Sequence, residues 1–387
     1  MLLLLEHHFL VTEKGEVWCE RVVDNAYIQR YLSVYDSVTI LARGKKVDKL
    51  NPHWNKVSGE NIDFVYLPEF SGVFGLVRNL FKIFHTVKHM GSYNCCIMRV
   101  PSMISLLLFP FLQKKSKVTG IEMVMAADKF FLQDNVFFYI ANKFIDAYVK
   151  HLCMSAYGVA YVTKSFLQKK YPCTYYVNGT GITGEYSSID LQNEFFFLRN
   201  KKYGFNKIRL VHTGYMDDDR KGQKVAIMAL DVLRNKGVDA QLTFIGDGDK
   251  RKELELKVKK MKLEKYVSFK GIITDKMKLR QVLIDSDIFI MPTRSEGLPR
   301  SIIEAMAVGL PCITSDVDGI PEMIDSKYMV SDFLPHTYAE KVEFLIKNIN
   351  EYNKVAEENY NKALKYRKTN LDQKRIEFYT KLKNKGI

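Results

Sequence analysis

The sequence predicts an α/β protein built on mostly parallel β-sheets. The first observation behind this prediction is that short apolar runs alternate with longer stretches of helical periodicity. Such alternation is typical of parallel strands whose connecting helices cover both faces of a sheet. The second observation is that the alternation restarts near Ile208, after a segment without strong periodicity. With 387 residues, the chain has room for two or three domains, each with its own core.

Seven apolar runs in the first half are predicted to be strands, with helical stretches between them. The predicted strands are residues 2–5, 38–42, 64–67, 95–98, 118–124, 159–163 and 175–177, and the predicted helices include residues 74–89 and 130–151. The segment after the first strand contains a single glycine, Gly15. The glycine-rich turn of dinucleotide-binding domains is therefore missing there, which argues against a dehydrogenase.

Composition and charge restrict the function classes. The net charge of +14 invites polyanionic partners, namely nucleic acid, anionic lipid or phosphorylated substrates, although a solvated basic surface explains it equally well. The basic residues are spread over both halves without a recognised nucleic-acid motif, so no nucleic-acid partner is predicted. The six cysteines lack the paired spacing of a metal site, and free buried thiols in a reducing cytoplasm are expected.

Neither an exported nor an integral membrane protein is expected. No segment reaches the roughly 18 to 20 apolar residues that a membrane span needs. Residues 1–5 are apolar, but they are too few for a signal peptide and lack its basic start. A cytoplasmic location follows as an expectation.

The segment 288–312 gives the strongest functional signal. A buried strand at residues 288–291 leads into a polar turn with Glu296 and Gly297, and a helical pattern begins at about Pro299. In a parallel sheet such a turn lies at the carboxyl ends of the strands, where ligands bind. The free N–H groups and the dipole of the first helical turn favour an anion such as a phosphate.

Two glutamates frame this turn, Glu296 and Glu304, with seven residues between them. An ionised carboxylate only accepts hydrogen bonds, so an acid beside a phosphate site is suited to bind the hydroxyls of a sugar or a ribose. The alternative is that Glu296 is an ordinary loop acid and Glu304 a solvated helix residue.

The string that contains both glutamates is Glu296-Gly-Leu-Pro-Arg-Ser-Ile-Ile-Glu304-Ala-Met-Ala-Val-Gly-Leu-Pro311. It closely resembles the signature of retaining glycosyltransferases of family 4. That resemblance implies the GT-B architecture, in which two Rossmann-like domains face each other across a cleft and the C-terminal helix crosses back to the first domain. The domains expected here are residues 1–195 with about 370–387 for the acceptor, and residues 196–369 for the nucleotide sugar. The linker is expected within residues 178–202, near residue 195.

The resemblance also assigns roles at the start of the second half. After the strand that ends at Gly214, Lys221 matches a family lysine that contacts the diphosphate of the donor, while Tyr215 stands where the family has an arginine. Arg220, beside Lys221, is expected to substitute for that arginine. Without the family, Arg220 and Lys221 are better explained as a solvated start of the helix predicted at residues 223–235. Further on, the turn at Gly246 is expected near the donor, and Lys270 with Gly271 is expected to face the nucleotide base.

Under the same resemblance, Glu296 orients the donor sugar and Glu304 binds the ribose, and neither needs to be a nucleophile. The remaining donor-binding residues are expected to be Gly297, Leu298, Arg300 and Ser301. Lys221 and the amides of the following helix would stabilise the leaving diphosphate without a metal ion. The run 217–219 of three aspartates is interpreted as turn and helix-capping chemistry rather than a metal site. In the element that resembles Gly-Gly-x-Pro-Glu, Asp318 takes the first glycine position.

Signals on the acceptor side are weaker. His7 and His8 are expected in a first loop, where acceptor contact and loop packing are equal alternatives. Arg99 and Glu122 end predicted strands, and Glu122 or Asp128 is a place to look for a base. The apolar segment 103–112 is followed by the lysines 114, 115 and 117, so it either docks on an anionic membrane or is a buried helix with a solvated end.

The sequence therefore predicts a retaining, metal-independent glycosyltransferase without a cofactor beyond its nucleotide-sugar donor, most simply a UDP-sugar. The expected acceptor is a glycan or a polyprenyl-diphosphate-linked sugar of a bacterial surface polysaccharide, reached at the inner face of the cell membrane. The alternatives are a GT-B nucleotide-sugar epimerase and a non-catalytic protein that binds nucleotide sugars or polyanions.

Overall fold

The computed structural model describes residues 1–20, 23–52, 54–131, 135–200 and 204–386, which form two compact units. Unit 1 comprises Met1–Tyr186 and Asp372–Ile387, and unit 2 comprises Ser187–Leu371. The boundary predicted near residue 195 falls in a short 3-10 helix of unit 2, Asn193–Phe195. Two residues of the predicted linker, Lys201 and Lys202, lie outside the described residues.

Unit 1 is organised around a mainly parallel sheet. Its strands are β1 (Leu2–Val11), β2 (Val17–Cys19), β3 (Val38–Lys46), β4 (Asn55–Lys56), β5 (Ile62–Leu67), β6 (Tyr93–Val100), β7 (Ser116–Met123), β8 (Gly158–Tyr161) and β9 (Ile182–Glu185). The helices before the end of β9 are α1 (Asn25–Leu32), α2 (Gly72–His89), α3 (Met103–Lys114), α4 (Val136–Ser155), α5 (Phe166–Lys170) and α6 (Thr174–Val177). The parallel order is β5-β3-β1-β6-β7-β8-β9, while β2 and β4 add an antiparallel extension along the far end of β1.

The helices α2, α3 and α4 cover one face of this sheet. Their inner side chains, among them Ile83, Leu108 and Leu152, belong to a single hydrophobic core with residues of β1, β6 and β7. The segment 103–112 is thus a core-packed helix, and its docking on a membrane is not what the structure shows, because Ile104 and Leu112 are buried. The alternative of a buried helix with a solvated end is the observed one.

Several boundaries in unit 1 differ from the prediction. The predicted strand 175–177 is helical and belongs to α6, while the predicted linker contains the unpredicted strand β9, which pairs with β8. In both places residue type was a poor guide: Tyr-Tyr-Val has strand-like residue types but is helical, whereas Ile-Thr-Gly-Glu lacks an apolar pattern but pairs with β8. The helix predicted from residue 130 begins at Val136, where the Asn135 side chain accepts the N–H of Phe138 at 2.9 Å.

His7 and His8 lie inside β1 and not in a loop. The register between β1 and β3 shifts between Leu4 and His8, so the strand bends there and continues to Val11. The polar run Glu6-His7-His8 resembles a strand end in sequence, but the later apolar residues of β1 pair with β2 and β3 and prolong the strand. All six cysteines are buried and free, as predicted.

Unit 2 contains a second parallel sheet. Its strands are β10 (Ile208–Thr213), β11 (Ala240–Ile245), β12 (Val267–Phe269), β13 (Ile288–Met291), β14 (Cys312–Ser315) and β15 (Met329–Val330). Its helices are α7 (Gln223–Asn235), α8 (Arg251–Lys260), α9 (Lys276–Asp285), α10 (Arg300–Ala307), α11 (Pro335–Lys347) and α12 (Ile349–Ala363), and the final helix α13 (Lys368–Gly386) returns the chain to unit 1. The helix predicted at residues 223–235 and the strand predicted at residues 288–291 are confirmed.

The strand order of this second sheet fixes where a ligand is expected. The order is β12-β11-β10-β13-β14-β15, and every observed pair is parallel. The chain moves outward from β10 to β12 and then returns to the other side of β10 with β13. Loops that follow β10 and β13 therefore diverge at the switch point, where α/β sheets bind ligands. No helix within the described ranges combines the length and the apolar composition that a membrane span requires.

Candidate functional site

The loops after β10 and β13 are joined to each other at the switch point of unit 2. The carbonyl oxygen of Arg220 accepts the backbone N–H of Arg294 at 2.8 Å and the hydroxyl of Thr293 at 3.1 Å. Buried Thr293 thus ties the glutamate loop to the lysine loop. The two segments that the sequence linked to a diphosphate form one framework.

The loop after β10 folds around a short 3-10 helix, Asp219–Lys221. The Asp218 side chain accepts the N–H of Arg220 at 2.9 Å, so the aspartate run supplies a cap, as interpreted from the sequence. Gly222 follows with φ of 71°, and a Cβ at this position would lie 1.8 Å from the Pro292 carbonyl oxygen. Only glycine permits this approach, and the approach places Lys221 beside the β13 loop.

His212, near the end of β10, forms a hydrogen bond with the backbone of Lys221. Its Nε2 lies 2.9 Å from the Lys221 carbonyl oxygen, and because a carbonyl only accepts, the imidazole donates from Nε2. Burial lowers the pKa of His212 to about 4, so the ring is neutral near pH 7. This residue was missed in the sequence because a single histidine in an apolar strand gives no signal of its own.

Lys221 and Glu296 form an ion pair at the centre of the site. The Lys221 ammonium contacts the Glu296 carboxylate, and the Glu296 Oε1 also lies 3.2 Å from the Thr293 hydroxyl oxygen. Glu296 is only 9% exposed, so it is not an ordinary solvated loop acid. Its backbone N–H donates to the Asp318 carboxylate at 2.8 Å, which connects the β13 loop to the loop after β14.

Glu304 forms a second ion pair, with a residue that the sequence did not indicate. The carboxylate lies on α10, is 7% exposed, and has its Oε1 2.5 Å from the Nζ of Lys276 at the start of α9. A solvated helix residue would be exposed, so burial removes that alternative. Lys276 belongs to no recognisable sequence motif. It lies next to Glu304 because of the path that the chain takes between β12 and α9.

The first turn of α10 faces the same edge of the sheet. Pro299 is the N-cap residue and not the first helical residue, and no side chain caps the helix there. Uncapped N–H groups at a helix start are donors for an anion. Of the predicted residues here, Gly297 and Leu298 are buried, Arg300 is exposed, and the Ser301 hydroxyl lies 3.5 Å from the Met291 sulfur.

Three predicted glycines pack backbone to backbone beside these loops. The N–H of Gly246 donates to the Gly271 carbonyl at 2.8 Å, and a Cβ on Gly246 would lie 2.1 Å from the Gly214 carbonyl oxygen. The ends of β10, β11 and β12 are thus held together without side chains. Lys270 is exposed at the same edge, and its backbone N–H donates to the carbonyl oxygen of Phe244.

The acceptor-side candidates of unit 1 occupy a different environment. The Glu122 carboxylate is buried and accepts the hydroxyls of Tyr379 at 2.6 Å, Tyr31 at 3.0 Å and Tyr186 at 3.2 Å. Burial raises the pKa of Tyr31 and of Tyr379 well above the usual value, so both phenols remain donors. Glu122 therefore holds α1 and α13 to the sheet, and this geometry favours a structural role.

The other first-unit candidates are also engaged locally. Arg99 lies 3.9 Å from the Glu122 carboxylate and donates to the hydroxyl of Tyr27. The Nδ1 of His8 lies 2.6 Å from Glu69, while Asp128 pairs with Lys170 at 2.6 Å. His7 lies beside His8 in β1 and has contacts of its own. Acceptor contact by these residues stays a prediction.

In the part of the chain that the structure describes, no group of three or more metal-ligating side chains is assembled.

Comparison with known proteins decides the family. Residues 207–348 match the family described as glycosyl transferases group 1. The chain is 30% identical over 331 residues to the protein CapJ of Staphylococcus aureus, which covers 85% of this chain and 82% of CapJ. The chain belongs to the group 1 glycosyltransferases. This membership confirms the predicted enzyme class, a glycosyltransferase.

Two further comparisons concern a shorter segment and the fold. Over 113 residues, 28% of each chain, this glycosyltransferase is 35% identical to the amylovoran biosynthesis glycosyltransferase AmsK of Erwinia amylovora. The structure of HepE from Anabaena in complex with UDP and glucose aligns with a TM-score of 0.63 at 13% identity, over 96% of both chains. The predicted fold class, α/β with two Rossmann-like domains of the GT-B type, is confirmed.

Proposed function

We propose that this group 1 glycosyltransferase is a retaining enzyme of family 4 that takes its sugar from a nucleotide sugar, without a metal ion. The observation that carries the proposal is the pairing of two buried carboxylates, Glu296 and Glu304, with Lys221 and Lys276 at the switch point of unit 2. Buried acids at a ligand edge need partners, and sugar hydroxyls are donors that match them.

Lys221 is the proposed electrostatic catalyst. Cleavage of the bond between the anomeric carbon and the diphosphate leaves additional negative charge on the diphosphate. The Lys221 ammonium and the uncapped amides of α10 offset that charge, and a fixed cation in a partly buried site does so more strongly than one in water. Since these groups provide the positive charge, the proposal assigns no metal to the reaction.

Glu296 and Glu304 are proposed to orient the two ends of the donor. When the donor diphosphate binds Lys221, the Glu296 carboxylate becomes available to the hydroxyls of the transferred sugar. Glu304 is proposed to accept the ribose hydroxyls, with Lys276 holding the carboxylate in place. Arg220 precedes Lys221 in the 3-10 helix and Arg300 is the first residue of α10, and both are proposed to add cationic contacts to the diphosphate.

The donor and the acceptor are proposed by similarity. HepE, which shares the fold, was crystallised with UDP and glucose, and this supports a UDP-sugar as donor. AmsK is named for amylovoran biosynthesis, and this supports an acceptor in bacterial polysaccharide biosynthesis. We propose a glycan or a polyprenyl-diphosphate-linked sugar as acceptor, met at the inner face of the cell membrane.

A thermal-shift screen against UDP-, GDP-, ADP- and dTDP-sugars tests the donor site. A ligand at ~100 times its dissociation constant adds about 2.7 kcal/mol of stability. We expect the UDP-sugars to stabilise the native chain, and the substitutions Lys221→Ala and Glu304→Ala to abolish the shift. The matched control is Lys252→Ala, on the exposed face of α8, which should shift as the native chain does. A native chain that responds to no nucleotide sugar would contradict the donor site.

The stereochemical part of the proposal has its own test. With the stabilising donor and a polysaccharide-repeat acceptor, the anomeric coupling constant of the new linkage is measured by NMR. Retention predicts the same anomeric configuration in product and donor. An inverted linkage would contradict retention and indicate an inverting enzyme. Release of UDP with an altered free sugar would contradict transfer and indicate an epimerase.

A further inference from the structure

The outer faces of α2 and α4 in unit 1 expose an unusual number of large apolar side chains. On α2, Phe74 is 87% exposed and Phe81 82% exposed, and on α4 both Phe137 and Phe144 are 73% exposed. Single exposed apolar residues are common, but a clustered set marks an interaction surface. The set is completed by further exposed residues of the two helices, Val73, Val77, Val136, Tyr139 and Ile140.

The four phenylalanines lie at one end of one layer. Both helices pack on the same face of the sheet, with α3 between them, as shown by their shared core and by the Phe84 and Phe111 rings, which meet at 4.9 Å. Helices that connect parallel strands run antiparallel to those strands, so their N-terminal halves lie at the carboxyl edge of the sheet. Every one of the four phenylalanines falls within the first ten residues of its helix.

The charges on this layer are predominantly positive. α2 and α3 contain no acidic residue, and α4 contains one, Asp146. The Asp146 side chain is 32% exposed, and its carboxylate accepts the hydroxyl of Tyr171 and lies 3.9 Å from the Nζ of Lys170, so its charge has a cationic partner. The exposed charges of α2 and α4 are cations, namely Arg78, Lys82, Lys88, Lys143 and Lys150.

We propose that this face, defined by Phe74, Phe81, Phe137 and Phe144 with the neighbouring cations Arg78, Lys82 and Lys143, docks on an anionic lipid membrane. Protruding aromatic rings enter the headgroup and acyl boundary, and cations between them meet anionic headgroups. A second copy of the chain would bring like charges together. A protein partner is disfavoured because interface cores are depleted of lysine. The proposal does not rest on the donor site of unit 2, and it gives a lipid-linked acceptor a surface at which to arrive.

Vesicle flotation of the full chain tests the proposal. We expect flotation with vesicles of phosphatidylcholine and phosphatidylglycerol at low salt, little flotation with phosphatidylcholine alone, and loss of binding as salt rises. Lys82→Gln with Lys143→Gln should weaken binding about 30-fold, since each basic residue near such a surface contributes about 1 kcal/mol. Phe81→Ser with Phe144→Ser should weaken it at least about tenfold.

A matched control comes from unit 2, where Leu256 and Lys252 are likewise exposed on α8. Leu256→Ser with Lys252→Gln should leave flotation unchanged. The UDP-sugar thermal shift, measured on every variant, reports the donor site separately and should be unaffected. A wild-type chain that does not float overturns the proposal, as do double variants that float like the control. A concentration-dependent dimer that dissociates in Phe81→Ser with Phe144→Ser also overturns it, because a second copy is then the occupant.

Discussion

At the scale of single residues, Asp318 departs most clearly from the glycosyltransferase signature. It occupies the first glycine position of the family element with φ of 51°, a left-handed conformation that costs most side chains about 1 to 2 kcal/mol. In return, its carboxylate accepts the N–H of Glu296. Asp318 therefore combines a strained backbone with a hydrogen bond that positions the loop containing Glu296.

Substitution of Asp318 separates the two effects. Asp318→Asn keeps an acceptor and tolerates the left-handed region, so activity should stay within a few-fold of wild type. Asp318→Gly relieves the strain but removes the acceptor, which should lower kcat/KM about 5- to 30-fold for a lost hydrogen bond of about 1 to 2 kcal/mol. Initial rates with the UDP-sugar identified by the thermal-shift screen provide the measurement. Equal rates for the glycine variant and wild type would show that the bond does not position Glu296.

His212 makes the stability of the site depend on pH. Burial lowers the pKa of His212 to about 4 in the folded chain, whereas a histidine in the unfolded chain has a pKa of about 6.5. Between these pH values the unfolded chain binds a proton that the folded chain does not bind. The contribution of neutral His212 to the free energy of unfolding is fully present above pH 6.5 and is lost as the pH decreases towards 4. The free energy of unfolding should therefore fall by about 2 kcal/mol between pH 7.5 and 5. Urea unfolding at both pH values checks this. The variant His212→Gln, which retains a donor for the Lys221 carbonyl, should lose about that much less.

At the scale of elements, the turn from the 3-10 helix into α7 depends on Gly222. Gly222→Ala combines a positive φ with a Cβ 1.8 Å from the Pro292 carbonyl oxygen, so the Lys221 loop must move. Gly237→Ala is the matched control, since its φ of 82° imposes similar strain but no atom lies within 4 Å. The control should cost about 1 kcal/mol, whereas Gly222→Ala should cost several-fold more and abolish the UDP-sugar shift. Equal losses in the two variants would refute the steric argument.

The sequence predicted elements well where periodicity was long and poorly where pairing decided. Strand β13 and helix α7 follow from apolar pattern alone, whereas β9 and the bend in β1 exist because a neighbouring strand accepts their hydrogen bonds. The same limit applies to the site. Glu296 and Glu304 belong to one contiguous signature and Lys221 to a separate short motif, but Lys276 and His212 are defined by distances across unit 2 that no local spacing encodes.

At the scale of the whole molecule, the two units have separate cores and separate polar anchors. Tyr379→Phe removes a donor from the buried Glu122 carboxylate and should destabilise unit 1 by about 1.5 to 3 kcal/mol, the range for hydrogen bonds to a charged group. Hydrogen exchange should then accelerate in β7, while β10 and the UDP-sugar shift remain as in wild type. Tyr139→Phe, whose side chain is exposed on α4, is the control and should change neither. Faster exchange in β10 would show that the units unfold together.

The contact between Glu122 and Tyr379 also orders events on the ribosome. The two residues are separated by 257 positions, and all of unit 2 is translated between them. At ~5 to 20 residues per second, synthesis of the residues between Glu122 and Tyr379 takes roughly 13 to 50 s, and during this time Glu122 lacks the hydrogen bond from Tyr379. Unit 2, whose residues are contiguous, is fully synthesised before the unit-1 part of α13, which begins at Asp372. Unit 2 is thus expected to fold co-translationally, and unit 1, whose synthesis begins first, is expected to be completed last.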